Sequence, residues 1–132
     1  VALLGRAARV PLRTVAAWFV AWPLTQFGLL LRPDLLHYGG LSGVLHAGAA
    51  VVAMHLVIAG RGTRRLVGVS VLAGVATKIV LEAPWAEALR HPAGWDIAVA
   101  PFAHLSGFVA GAAMAGLAEV RRWWPTTIDR ND

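Results

Sequence analysis

Residues 42–59 read SGVLHAGAAVVAMHLVIA, an apolar run without a lysine, an arginine or a carboxylate. A helix needs about 20 such residues to cross the hydrocarbon core of a bilayer. Three further apolar runs flank this one, at about Leu12–Leu31, Leu66–Leu81 and Ile97–Val120, of which the run at Leu66 is the shortest. Backbone polar groups in lipid must pair within their own segment, so we predict that all four runs are helices.

The composition favours a membrane protein. Of the 132 residues, 58% are hydrophobic and 14% are charged, whereas soluble domains carry about 25% charged residues. A soluble domain of this size has too much surface for its volume to hide so many apolar side chains. We therefore predict an all-α, polytopic transmembrane bundle, with residues 1–132 forming one membrane domain and four helices crossing the lipid. The chain has no cysteine, which excludes disulfides and thiol catalysis.

The arginines predict the orientation in the membrane. The net charge is +5, but the basic residues form short clusters between apolar runs and no continuous stripe for phosphates, so a nucleic-acid partner is not expected. Cytoplasmic loops of membrane proteins are rich in such clusters. We expect both ends of the chain on the cytoplasmic side and loops 32–41 and 83–96 on the outer side. The clusters are Arg6, Arg9 and Arg13; Arg61, Arg64 and Arg65; and Arg121 and Arg122.

Ser42 is the candidate nucleophile. It begins an apolar run on the outward side, and Gly40 and Gly43 on either side allow a tight turn and leave space around the hydroxyl. The N-terminus of a helix offers free N–H groups and a positive dipole end, which suit an oxyanion. The alternative is that Ser42 only caps the helix.

His104 is the candidate base for Ser42. It lies about 10 Å below the outer surface, at 1.5 Å per helical residue, and an ionisable group at that depth suggests a functional site. Gly107 is on the same helical face and forms a GxxxG pair with Gly111, which would let the serine-bearing helix approach closely. A hydroxyl needs such a base to become a nucleophile. A histidine that serves only in helix packing is the alternative.

Two motifs resemble those of a known family. Gly40-Leu41-Ser42-Gly43 resembles the GxSG of rhomboid intramembrane proteases, and the stretch AHLSGFVAG at residues 103–111 resembles their AHxxGxxxG. The stretch YGGLSGVLH at residues 38–46 is similar to the YxGLSGxLHG of rhombosortases, although Ala47 stands where that subfamily usually has glycine. Lys78 and Glu82 match the KxxxE of the same subfamily.

The resemblance implies a six-helix rhomboid core, of which this chain would supply the last four helices as an N-terminally truncated fragment. It implies a Ser–His dyad without a cofactor, in which Ser42 is the nucleophile and His104 the general base and then the general acid. The implied substrates are membrane-anchored proteins with a C-terminal Gly-Gly motif, a transmembrane helix and a basic tail. The implied location is the bacterial inner membrane, in contact with lipid, with the active site facing the periplasm. One departure is that the HxxxN motif, which helps rhomboids hold the oxyanion, is absent from residues 1–132.

Other polar residues have weaker functional interpretations. His46 lies four residues after Ser42 on the same face, where it could support the oxyanion and substrate site, together with Gly40 and Gly43, or act as a rival base. His55 is deeper, and we favour a packing role. We interpret Lys78 and Glu82, spaced i and i+4, as a structural ion pair rather than catalytic groups. A zinc site built from His46, His55 and His104 would lack an HExxH motif, so no metal is expected.

Three other functions remain open at this stage. A rhomboid-like protein that binds membrane partners without catalysis would usually lack the serine or the histidine. A transporter or channel fragment would line a path with polar residues, and Thr25, Gln26, Lys78 and the histidines do not form such a path by their spacing. A membrane acyltransferase using the same serine and histidine would transfer an acyl group and cleave no peptide.

Overall fold

The structure, a computed structural model, describes residues 1–36, 39–91, 93–94 and 96–120. Tyr38 of the rhombosortase-like stretch and the predicted basic pair at 121–122 therefore lie outside the described residues. The described elements are α1 (Ala2–Ala7), α2 (Leu12–Gly28), a 3-10 turn (Leu29–Leu31), α3 (Ser42–Ala59), α4 (Thr63–Leu81) and α5 (Pro101–Val120). Over these same residues, one isolated antiparallel bridge joins Arg90 to Val99 and no strand forms. The predicted all-α class is confirmed.

Large apolar side chains cover the outside of the bundle, and small residues fill its inside. Phe19 is 62% exposed, Phe27 66% and Leu30 78%. Membrane helices pack through small residues, whereas soluble proteins rarely expose apolar patches on this scale. The bundle therefore has the surface of a protein that lipid surrounds. The buried alanines of the helices are Ala17, Ala21, Ala47, Ala50, Ala53, Ala103 and Ala115.

Three segments of the described chain are long and apolar enough to cross a membrane, namely Leu12–Leu31, Ser42–Ala59 and Pro101–Val120. These correspond to three of the four predicted spans. The helix α4 has 19 residues but includes Arg64, Arg65 and Lys78, so its composition is less apolar than that of the others. A fourth span is therefore a prediction that length and composition alone do not establish.

The helices α3 and α5 lie against each other and run in the same direction. A Cβ atom added to Gly107 would collide with the backbone of Gly43, and one added to Gly111 would lie 2.7 Å from the Cα atom of Ala47. Glycine at these positions lets the two backbones touch. The contacting pairs keep one register, Gly43 with Gly107, Ala47 with Gly111 and His55 with Glu119, each 64 positions apart.

The helix α2 runs antiparallel to α3 and completes the core. Near its C-terminus, the Thr25 methyl group would lie 3.0 Å from a Cβ atom on Gly43. Further back along α2, the Trp18 indole donates a 2.9 Å hydrogen bond from Nε1 to the carbonyl of Val44. The end of the bundle that carries Ser42 is thus also the C-terminal end of α2.

Two predicted helix boundaries were wrong, and both have a local cause. The helix α5 begins at Pro101 rather than near Ile97, because Val99 exchanges two 2.8 Å backbone hydrogen bonds with Arg90 in the bridge. Proline suits the first helical position, where a missing N–H has no cost. The helix α4 begins at Thr63, before Leu66, because Arg64 and Arg65, which we assigned to a loop with Arg61, form part of its first turn.

Candidate active site

Ser42 lies at the mouth of a cavity at one end of the bundle. It is the first residue of α3, after Leu41 in the cap position, and it is half-buried. The cavity has a volume of about 610 Å³, and its polar lining comes from α3, α4 and α5. The predicted residues Gly40, Ser42, His46 and His104 all border it, and so do Lys78 and Glu82.

His104 enters this cavity from the first turn of α5 and is 4% exposed. The backbones of α3 and α5 approach each other closely beside it, since a Cβ atom on Gly43 would be 2.6 Å from the carbonyl oxygen of Ala103. Ser42 and His104 thus flank the point where the two backbones touch. Gly43 and Gly107 make this approach possible, because any side chain there would push the helices apart.

A carboxylate that the sequence analysis assigned to a structural role contacts the histidine. Glu82, at the C-terminal cap of α4, places Oε2 2.6 Å from Nδ1 of His104. Lys78 Nζ lies farther from the same nitrogen, at 3.4 Å. The shorter, charge-assisted contact with the carboxylate assigns the proton to Nδ1, so Nδ1–H donates to Glu82 and Nε2 keeps its lone pair.

His46 has a different set of partners. Its ring stacks on that of His104, with centroids 4.1 Å apart and planes at 16°. Nδ1 of His46 donates to the carbonyl oxygen of Ser42 at 2.7 Å, and Nε2 accepts from Lys78 at 3.2 Å. Both ring nitrogens of His46 are therefore engaged, which disfavours the rival-base interpretation and leaves His104 as the better placed base.

Lys78 and Glu82 form the predicted ion pair, with Nζ 2.6 Å from Oε1. The pair is part of the histidine cluster as well as a link within one helix. Burial alone would raise the pKa of Glu82, but hydrogen bonds from His104 and Lys78 outweigh it and hold this pKa below its ordinary value. Glu82 is therefore a carboxylate at neutral pH.

Arg32 fixes the loops around this end of the bundle. Its guanidinium makes contacts of 2.9 and 2.7 Å to the carboxylate of Asp34, donates to the carbonyl of Pro84 at 3.0 Å, and lies over the ring of Phe102. The hydrogen bond from Arg32 lowers the pKa of Asp34. Because Pro84 follows Glu82 closely, Arg32 also holds the segment that leads away from the cluster.

A second polar cluster, which the sequence analysis missed, lies at the other end of the bundle. Glu119 is fully buried on α5. It accepts hydrogen bonds from Thr14 at 2.9 Å and from Nδ1 of His55 at 2.8 Å, and Arg13 lies 3.5 Å away. We predicted a packing role for His55, and it does join two helices, although through an ionisable partner. The spacing of 64 residues between Gly43 and Gly107 also separates His55 from Glu119, and this shared spacing could have predicted their contact.

Within the ranges that the structure describes, no group of three or more histidine, cysteine, aspartate or glutamate side chains could hold a metal ion. The cluster around His104 is instead a chain of contacts from Lys78 and Glu82 to the imidazole, beside a serine at a helix N-terminus.

Comparison with family models, with curated proteins and with solved structures found no match for this chain.

Proposed function

We propose that this chain is the catalytic part of an intramembrane serine endopeptidase, with Ser42 as nucleophile and His104 as general base. One observation carries the proposal. A serine at the start of α3 and a buried histidine at the start of α5 border one cavity, and the histidine has Nδ1 tied to a carboxylate. The GxSG-like and AHxxGxxxG-like stretches supply these two residues, which is why we favour the rhomboid family and its rhombosortase branch.

The direction of the helices supports a four-span arrangement. The helices α3 and α5 run parallel and each has membrane-spanning length, so if both cross the bilayer the chain between them returns across it. The 19 residues of α4 extend about 28 Å at 1.5 Å per residue, which is close to the hydrocarbon thickness. Lys78 is half exposed near the end of α4 that carries Glu82, where a lysine can reach the interface.

The charge distribution supports an active site on the outer side of the membrane, which the rhombosortase resemblance implies is a bacterial inner membrane. Ser42 and His104 lie at the end of the bundle where α2 finishes. The arginine-rich segments 6–13 and 61–65 lie at the opposite end, where Arg64 donates to the carbonyl of Ala8. Basic loops remain in the cytoplasm.

Each catalytic step has a candidate group on this chain. Nε2 of His104 takes the hydroxyl proton as the Ser42 Oγ atom attacks the peptide carbonyl. The N–H groups of the first turn of α3 stabilise the oxyanion, with the positive end of the helix dipole behind them. His104 then gives the proton to the leaving amine, and a water molecule hydrolyses the acyl-enzyme by the same two proton transfers in reverse order.

The cavity has room for an unwound segment of a peptide. Its remaining walls are apolar, from Leu45, Leu89 and Ile97, and Gly39 at its edge has no atom within 4 Å of an added Cβ. A membrane-anchored protein with glycines at the cleavage site would fit beside this edge. That matches the Gly-Gly-tailed substrates which the rhombosortase resemblance implies.

The proposal is tested by labelling membranes that contain the protein with a fluorophosphonate. In this reaction the serine Oγ forms a bond to phosphorus, fluoride leaves, and the histidine takes the hydroxyl proton. We expect labelling that Ser42→Ala and His104→Ala both abolish and that Ser106→Ala retains, since Ser106 Oγ donates to the carbonyl of Thr25 on α2. A folded but unlabelled protein would favour a non-catalytic, rhomboid-like binding protein instead.

A further inference from the structure

We propose that Glu82 is a positioning residue for His104, so that the site works as a Ser42–His104–Glu82 triad. The inference rests on the proposed function and deepens it. It is carried by the contact between the carboxylate at the end of α4 and the Nδ1 atom of His104. A carboxylate in this place holds the imidazole in the tautomer and the rotation that general-base catalysis needs.

Glu82 selects the tautomer of His104. A neutral imidazole carries one proton, and only the tautomer with Nδ1–H has its Nε2 lone pair ready to accept the serine proton. The 2.6 Å contact to Glu82 selects this tautomer, because a carboxylate only accepts hydrogen bonds. Without Glu82, Lys78 would be the remaining partner of Nδ1, and its ammonium donates, which favours the tautomer that cannot act as the base.

Glu82 itself is held by contacts with three residues. Its Oε1 atom accepts a hydrogen bond from Lys78 at 2.6 Å, and its Oε2 atom accepts one from Nδ1 of His104. Its backbone carbonyl accepts from Nη1 of Arg90 at 3.0 Å, and the Arg90 backbone is fixed by the bridge to Val99. A positioning group must have its own orientation fixed by a supporting shell. The bridge that delays the start of α5 therefore also anchors the carboxylate.

Glu82 also supplies a negative charge beside His104. When His104 takes the serine proton, a cation forms at a residue that is 4% exposed, and such a charge needs a partner. Among the residues that the structure describes, the ionisable groups in contact with His104 are Lys78 of α4, Glu82 at its C-terminal cap and His46 of α3. Of these, Glu82 alone is negative, so it alone stabilises the imidazolium, whereas Lys78 opposes it at a longer distance.

A purely structural ion pair would have the same contact between Lys78 and Glu82 but no effect on chemistry. The two roles differ in what the loss of the carboxylate changes. If Glu82 only ties the end of α4 in place, Glu82→Gln lowers the stability and leaves the rate of the bond-forming step unchanged. If Glu82 positions His104, the same change slows the bond-forming step while the protein remains folded and binds the probe equally well.

The experiment measures fluorophosphonate labelling of the membrane-embedded protein as a function of probe concentration, which separates the maximal rate from half-saturation. For Glu82→Gln we expect the maximal rate to fall by at least about tenfold, and by up to the about 10⁴-fold seen when a triad aspartate becomes an amide. The probe concentration that gives half of the maximal rate should be unchanged. Glu82→Asp retains the charge on a shorter side chain and should recover part of the rate. Glu87→Gln, an exposed glutamate of the same loop, is the matched control and should label as the wild type does.

A second readout does not depend on activity. In ¹⁵N-histidine-labelled protein, the His104 Nδ1–H proton should resonate far downfield, be absent in His104→Ala and Glu82→Gln, and persist in Glu87→Gln. Labelling that needs Ser42 and His104 but is equal in Glu82→Gln and Glu87→Gln would overturn the inference and leave the proposed function standing. A Glu82-dependent downfield proton in a protein that never labels would refute the proposed function, and the catalytic role of Glu82 with it.

Discussion

Nδ1 of His55 lies 2.8 Å from the carboxylate of Glu119, and this contact joins α3 to α5 at the end of the bundle farthest from Ser42. It shares the register of the Gly43–Gly107 contact near the candidate active site. A slip of one residue would move α5 by about 1.5 Å along α3. Such a shift would separate His104 from its partners, so the buried pair at one end helps to set the geometry at the other.

Glu119→Gln should therefore destabilise the bundle. Thr14 and His55 both donate to Oε1, so the amide would offer them a neutral and weaker acceptor, while its NH₂ group would replace Oε2 and face the positive charge of Arg13. We expect a loss of about 1–3 kcal/mol, since hydrogen bonds to buried charged groups are worth about that much. The measurement is the free energy of unfolding in mixed micelles.

Arg13→Ala is the comparison within the same cluster. The Arg13 side chain is 43% exposed and 3.5 Å from the carboxylate, so its removal should cost less than Glu119→Gln, about 1 kcal/mol or below. If the arginine variant were the less stable of the two, the buried hydrogen bonds would not be the source of the stabilisation.

Gly107→Ala should separate α3 from α5. The new methyl group would meet the backbone of Gly43, which cannot move aside as a flexible side chain can. Overpacking of this kind costs about 1–3 kcal/mol. The same change should abolish probe labelling, because it displaces Ser42 relative to His104. Thermal unfolding and labelling of the same preparation measure the two effects.

Gly116→Ala is the matched control on the same helix. A methyl group there would have its nearest neighbour at 4.0 Å, the Cε atom of Met54, which is ordinary contact. Alanine is also the better helix former by about 1 kcal/mol. Stability should be unchanged or higher and labelling retained, so equal damage from Gly116→Ala and Gly107→Ala would contradict the close-approach explanation.

The stabilising effect of Glu82 should depend on pH in the acid range. Hydrogen bonds from His104 and Lys78 lower the pKa of this carboxyl in the folded protein, despite its partial burial. A lowered folded pKa means that the stabilisation is complete above the ordinary glutamate pKa of about 4.3 and disappears as the pH falls through the lower folded value. The unfolding midpoints of the wild type and Glu82→Gln should differ at neutral pH and converge in acid. A difference that persists at all pH values would assign it to packing.

Part of this arrangement was predictable from the sequence, since apolar runs identify helices and a glycine pattern indicates close contact. Ser42 and His104 were predicted to lie at the same end, and they do border one cavity. Periodicity could not show that Glu82 reaches His104. Its spacing from Lys78 explains an ion pair on one helix, whereas the contact to α5 depends on how α4 packs. Likewise, the Arg90–Val99 bridge depends on a loop that no helical pattern describes, so the predicted start of α5 near Ile97 was wrong.

The number of crossings can be tested with thiols, because the chain contains no cysteine and each substitution adds a single one. We choose Arg61→Cys between α3 and α4, and Glu87→Cys between α4 and α5, since both side chains are exposed. The parallel direction of α3 and α5 places these loops on opposite sides of the bilayer if α4 crosses it. A membrane-impermeant maleimide added to intact cells should label Glu87→Cys at once and Arg61→Cys only after permeabilisation.

Labelling of both positions before permeabilisation would mean that α4 does not cross, despite its 19 residues. The positive-inside rule places the arginine-rich loop in the cytoplasm. Labelling of Arg61→Cys alone in intact cells would place that loop outside instead, so the protein would have four crossings in the reverse orientation. The Ser42 cavity would then open to the cytoplasm, and its substrates would have to be sought there.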